Sequence, residues 1–148
     1  MSTQAIIVAI AKRVHCKWWR SGSNVSKQTH SSSEVCKAWQ EITQDVVGKR
    51  VLAEYPVVKH GSEKFDLVDV QDRVAYELKV SENNPHHEFY RDIFKVAVHN
   101  DHNARWRIKK LVFLTPKEGA RKLGSDFGAA VRNIAKRQHG IEVEICGI

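Results

Sequence analysis

The sequence predicts an α/β fold, one mixed β-sheet flanked by helices, on three observations. Between residues 50 and 80 stand three short segments of strand composition joined by brief polar turns. Apolar residues recur at helical spacing on both sides of them. A further strand segment follows the next helix, which makes that step a right-handed parallel crossover.

Taken in order, residues 2–20 have helix-forming composition. Ile6, Ile7, Ile10 and Val14 lie toward one side, with Lys12, Arg13, Lys17 and Arg20 spread around it. Residues 21–33 are rich in Ser, contain Gly22 and Asn24, and read as a loop. Ser32 or Ser33 then caps a second helix carrying Val35, Ala38, Trp39, Ile42 and Val46, which Gly48 ends. Strands follow at 50–58, 65–70 and 74–80, separated by His60-Gly61-Ser62 and Gln71-Asp72-Arg73, so they form an antiparallel meander. Asn83-Asn84-Pro85 breaks the last of them. Helical spacing returns at 87–100 through Phe89, Ile93, Val96 and Ala97, and a fourth strand at 108–114 stops at Thr115-Pro116. A long helix at 117–138 ends before Gly140, and 141–145 form a last strand.

At 148 residues the chain is the size of one domain, read as 1–148, with 1–32 an N-terminal helix and Ser-rich loop and 33–148 the core. The longest apolar run, residues 5–11, is far shorter than a bilayer span and has no basic segment before it, so neither a membrane partner nor a secretory leader is expected. The cytoplasm is the expected location. Cys16, Cys36 and Cys146 are widely spaced with no C-x-x-C, which argues against a disulfide framework and a zinc knuckle. Neither a Gly-rich phosphate loop nor a G-x-S-x-G elbow is present. The formal charge of +7 favours a polyanionic partner.

Chemistry concentrates in the meander, where Phe65-Asp66-Leu67-Val68-Asp69-Val70 is followed by a turn and Tyr76-Glu77-Leu78-Lys79. Glu77 and Lys79 are two apart on an otherwise apolar strand and so share a face, where charge is costly unless used or paired. A two- or four-residue turn sets Asp66 beside Glu77 or Lys79 on that face, whereas a three-residue register substitutes Asp69. Two carboxylates and a lysine suit phosphodiester hydrolysis. Oxygen ligands hold Mg²⁺, which acidifies a water, and the ammonium holds the phosphate or positions the attacking water.

These residues resemble the PD-(D/E)XK nuclease superfamily, whose pattern is an Asp on one strand and Glu-x-Lys on the next. Its α-β-β-β-α-β core order agrees with the order read above from about Ser33 to Leu114. Phe65 stands where the motif name has Pro, a position the family varies. The resemblance implies a restriction-endonuclease-like core with an extra N-terminal helix and a C-terminal helix and strand. It implies that Asp66 and Glu77 bind Mg²⁺, with Mn²⁺ able to substitute, and that Lys79 serves the nucleophile or phosphate. Many members add an acid from the helix before the meander; Glu41 is preferred here and Glu34 competes.

The expected activity is therefore a DNA endonuclease of restriction, repair or junction-resolving type. A non-catalytic module binding nucleic acid or protein on the same fold is the alternative, and an RNA-directed nuclease a third reading. Candidate phosphate contacts are Lys109, Lys110, Arg121, Lys122, Arg132 and Lys136, beside Arg105-Trp106-Arg107 and Arg137. His86, His87, Tyr90 and Lys95 follow the candidate strand closely enough to approach the site, though a polar helix start and a surface lysine are the plainer readings. One site per chain and the exposed-looking Trp18-Trp19 segment predict a homodimer for cutting both strands; those indoles either stack on a base or, the favoured reading, pack one into the core and the other at a subunit contact.

Overall fold

The computed structural model describes residues 1–19 and 25–148, the side chains of 25–31 excepted. Helix α1 (Thr3–Trp18) starts where the Ser2 hydroxyl accepts from the Ala5 N–H, and buries Ile7, Ala11 and Val14 at its four- and three-residue spacing. Helix α2 (Val25–Val47) begins well before the expected Ser32 or Ser33 cap. The loop expected over 21–33 is thus helix from Val25 onward, and its remainder through residue 24 lies outside the described residues. Serine lowers helix propensity only modestly, and no Gly or Pro interrupts 25–47. Gly48, at φ 80°, ends α2 as expected, and a 3-10 turn (Gly48–Arg50) leads into β1.

Strands β1 (Val51–Pro56), β2 (Lys64–Asp69) and β3 (Val74–Leu78) form the expected antiparallel meander. Helix α3 (Pro85–His102) opens with Pro85 in its first turn and leads to β4 (Lys110–Thr115), which pairs parallel to β3. The single long helix expected over 117–138 is two, α4 (Lys117–Leu123) and α5 (Asp126–His139). Ser125 caps the second by accepting from the Gly128 N–H, and that polar capping signal outweighs the continuous apolar spacing. Strand β5 (Glu142–Gly147) pairs parallel to β4, giving the sheet order β1-β2-β3-β4-β5.

Both faces of the sheet are covered. Val51, Leu67, Tyr76, Val112 and Leu114 pack under α1 and α2, against Ile7, Ala11, Val35 and Trp39. Val68, Ala75, Leu111 and Phe113 pack on the other side with Phe89 and Val96 of α3, Leu123 of α4 and Ala135 of α5. Along β1 the buried face changes between Ala53 and Tyr55, and along β2 between Phe65 and Leu67. Glu54, at φ 52°, sits at the first change and Asp66 at the second. The two strands therefore exchange their buried faces at the level of Glu54 and Asp66.

The β2–β3 connection spans residues 70–73, because Asp69 is in register with Val74. Asp69 is fully buried and caps this turn, accepting from the N–H groups of Gln71 (3.0 Å) and Asp72 (3.1 Å). Arg50 reaches across from the start of β1 to Asp69 (2.7 Å) and to Asp72. Asp69 thus belongs to the turn. The four-residue connection, not the three-residue one, sets the register.

Candidate active site

The β2–β3 ladder ends at Leu67 opposite Tyr76, which makes Asp66 and Glu77 the next facing pair. There the Asp66 carboxylate takes over from the backbone, accepting the Leu78 N–H at 2.8 Å. Glu77 is 5% exposed. Lys79 follows two residues on, so it shares Glu77's side of β3. Its N–H bonds the Leu114 carbonyl (2.8 Å), while its half-buried ammonium makes no hydrogen bond or ion pair among the described residues. Asp66, Glu77 and Lys79 all line one cleft of about 320 Å³, closed on other sides by Lys64, Val80, Arg91, Asp92 and Lys95.

Helix α3 supplies a third acid, Asp92, and a mostly buried base, Lys95. The Lys95 ammonium stands 2.5 Å from Glu77 Oε1 and 3.2 Å from Asp92 Oδ1, donates to the Lys64 carbonyl at 2.8 Å, and lies over the Phe65 ring. Two carboxylates, Glu77 and Asp92, thus share one internal ammonium, and Asp66 feels its charge from farther off. Burial raises Glu77 well above the ordinary carboxylate range, helped by the charges of Asp66 and Asp92 and opposed by Lys95. Asp66 is raised by burial against the pull of the Leu78 N–H and Lys95. Asp92 is pushed up to about 7 by burial, against the attraction of Lys95. Burial works against the Lys95 ammonium, yet Glu77 and Asp92 together hold it above an ordinary lysine.

Glu41 is not brought to this cleft. It is exposed on α2 and pairs with Lys37 at 3.9 Å, in a separate hollow that also holds Glu34 and Trp18. Trp39 and Thr43 are fully buried and define the inward side of α2, and Glu41, two residues from each, falls on the opposite side of the helix. Gln40 faces inward instead, donating to Glu54 Oε1 and to the Asp66 carbonyl, both at 2.9 Å. The thiol of Cys36, one turn earlier, is pushed up by burial and by the charges of Asp66, Glu54 and Glu77.

The six basic residues expected at phosphates do not converge on the cleft. Lys109 and Lys110 lie at the far end of the sheet, where Lys110 is in register with Val74 and pairs with Glu144 at 2.5 Å. Arg121 is held by Glu118 at 2.5 Å, Lys122 donates to the Glu82 carbonyl, Arg132 is half-buried and Lys136 is exposed on α5. The cleft's own cations are Lys64, Lys79, Arg91 and Lys95, with Arg91 bonded to both oxygens of Glu63. Lys95 is thus a site residue rather than a surface lysine, whereas His86, His87 and Tyr90 do not line the cleft. Sequence reasoning passed over Asp92. Its signal was an acid on the stripe Pro85, Phe89, Asp92, Val96 and His99, every member of which is buried.

Trp18 and Trp19 are half-buried against the α1–α2 core rather than exposed. Among the described residues no helix is long and apolar enough to cross a membrane, and no three His, Cys, Asp or Glu side chains are grouped to enclose a metal ion. Compared with known proteins, the chain matches no family model, no curated protein and no solved structure.

Proposed function

We propose that this chain is a Mg²⁺-dependent DNA endonuclease resembling the PD-(D/E)XK superfamily, hydrolysing phosphodiester bonds by direct attack of water. The observation that carries this reading is Asp66 facing Glu77 where the ladder ends, with the unpaired Lys79 ammonium in the same cleft. The order α2-β1-β2-β3-α3-β4 agrees with that superfamily's core and supports the reading.

The donors fit a hard divalent cation. Asp66, Glu77 and Asp92 line the cleft, only Glu77 and Asp92 are paired with Lys95, and all three are raised in pKa, so the site is short of positive charge. Mg²⁺ is held by oxygen, and one or two carboxylates suffice because it keeps waters and takes phosphate oxygens as well. Asp66 and Glu77 would hold it, with Mn²⁺ able to substitute. When bound there, the ion would supply Lewis acidity toward a water and toward the phosphate charge.

The protein's residues divide the remaining work. Lys79 presents its ammonium to a phosphate oxygen or to the attacking water. Lys95 opposes, from the α3 side, the burial that favours a proton on Glu77, and Gln40 fixes the backbone of Asp66 through its carbonyl. Incubating the purified chain with supercoiled plasmid, linear duplex and branched DNA tests the reading. Cleavage is expected with Mg²⁺ and none with EDTA. Asp66→Ala and Glu77→Ala should each abolish it and leave DNA binding intact or tighter, because negative charge facing the phosphates is removed. Lys79→Ala should also stop it, with weaker dependence on metal concentration.

A folded chain that binds DNA and never cuts it would favour a non-catalytic binding module. The ion pair that already engages Glu77 and Asp92 with Lys95 speaks for that second reading.

A further inference from the structure

The layer of α3 and α5 leaves an apolar face open to solvent. Phe94 is 70% exposed and Phe127 65%, and Val98 and Ile134 are exposed beside them. Between the helices run two adjoining hollows of about 190 and 230 Å³. Ile93, Phe94 and Val131 line both, while Ile134 borders one and Phe127 the other. Exposed aromatic and aliphatic side chains gathered this way mark an interaction surface rather than scattered surface residues.

Two features identify the occupant. The face carries projecting rings and apolar hollows side by side, the elements a surface needs to pack against its own copy. Helix α5 is also complementary in charge to itself: Asp126 lies in its first turn, and Lys136, Arg137 and His139 lie in its last. Phe127, Val131 and Ile134 follow one another at four- and three-residue spacing and form an apolar stripe. Asp126 and Arg137 fall on one flank of it, along the row 126, 130, 133 and 137. Both are exposed, and neither pairs with another charge among the described residues. Laid antiparallel across a second α5, the stripes meet, and each Asp126 faces the Arg137 of the other copy. The pair then forms twice about the twofold axis.

We propose that the α3–α5 face is a homodimer interface, closed by antiparallel packing of α5 on the α5 of a second copy. This stands apart from the nuclease reading and needs none of the cleft residues.

Sedimentation equilibrium and light scattering of the whole chain test it. The parent should show twice the chain mass at about 100 µM, a hundredfold above a micromolar Kd. Phe94→Glu and Phe127→Glu should each weaken self-association by about thirtyfold or more, with an unchanged circular dichroism spectrum because both side chains are exposed. Asp126→Arg and Arg137→Asp should each weaken it by about tenfold, and the double variant should restore it. A monomer at that concentration would overturn the proposal and leave the face to a different protein. A dimer indifferent to both Phe substitutions would place the interface elsewhere. Failure of the double reversal to restore association would remove the antiparallel arrangement.

Discussion

Replacing Lys95 by Met keeps an unbranched apolar stem beside Phe65 and removes the ammonium that pairs with Glu77 and Asp92. Opposite charges about 4 Å apart attract by about 4 kcal/mol at an effective dielectric constant near 20, which bounds what Glu77 loses. Protonation limits the loss, because a neutral carboxyl needs no counter-charge. Burial already raises Glu77 and brings Asp92 to about 7, so both bind protons more readily in the folded than in the unfolded chain. A carboxyl raised in this way contributes stability that is complete below its unfolded value and is lost as pH climbs through its folded value. Removing Lys95 raises both folded values further and steepens that loss. We therefore expect Lys95→Met to cost about 1 kcal/mol at pH 5 and about 3 kcal/mol at pH 8. Urea denaturation of parent and variant at the two pH values measures the difference. An equal cost at both, or a larger one at pH 5, would refute the account of Lys95 as counter-charge to these acids.

Glu41→Ala should leave cleavage and stability within experimental error of the parent, since its carboxylate is exposed and away from the cleft; a large loss of cleavage would return Glu41 to the site. Asp69→Asn should retain most cleavage per folded molecule and lower the urea midpoint, because the amide keeps one acceptor for the turn N–H groups and loses the charge facing Arg50. DNA binding, read by fluorescence anisotropy, should weaken steeply between about 50 and 200 mM salt, and a flat response would contradict a phosphate-contacting surface. His99 is buried with Nδ1 on the Val57 carbonyl, and burial lowers its pKa. Its contribution to stability is therefore present above the unfolded value of about 6.5 and lost as pH falls below it. His99→Gln should flatten the melting temperature between pH 7 and pH 5, and an unchanged slope would assign that dependence to other groups.

The strands, their antiparallel order and the parallel step through α3 were legible because period-two and period-3.6 patterns alternate cleanly there. The pairing of Asp66 with Glu77 followed once the connection was fixed at four residues, and only Asp69's engagement by Arg50 and the turn amides decides that length. The early start of α2 was hidden because Ser lowers helix propensity without breaking a helix. The division between α4 and α5 was hidden because the apolar spacing runs on past the Ser125 cap. Choosing Glu41 followed from charge type, whereas the rotation of α2 is set by Trp39 and Thr43 in the core and brings the uncharged Gln40 to Asp66. Lys95 and Asp92 meet Glu77 only through the return of α3 over the sheet, a contact that no local pattern encodes.

The bonds that Asp69 makes at the β2–β3 turn also act as a guard against misthreading. A slide of β2 by one residue would exchange the two sides of the strand, taking the Asp66 carboxylate from the Leu78 N–H and turning an apolar neighbour toward Glu77. Hydrophobic burial penalises that error weakly, since Leu67 and Val68 are apolar residues of similar size on opposite faces. Asp69 discriminates strongly, because in the wrong alignment it forfeits both turn amides and Arg50 together. Damage at Arg50 would consequently give a population of molecules with every cleft residue present and some of them wrongly aligned. In a bulk assay such a variant would mimic a slow enzyme, and only single-turnover amplitudes, reading the fraction of competent molecules, would separate the two.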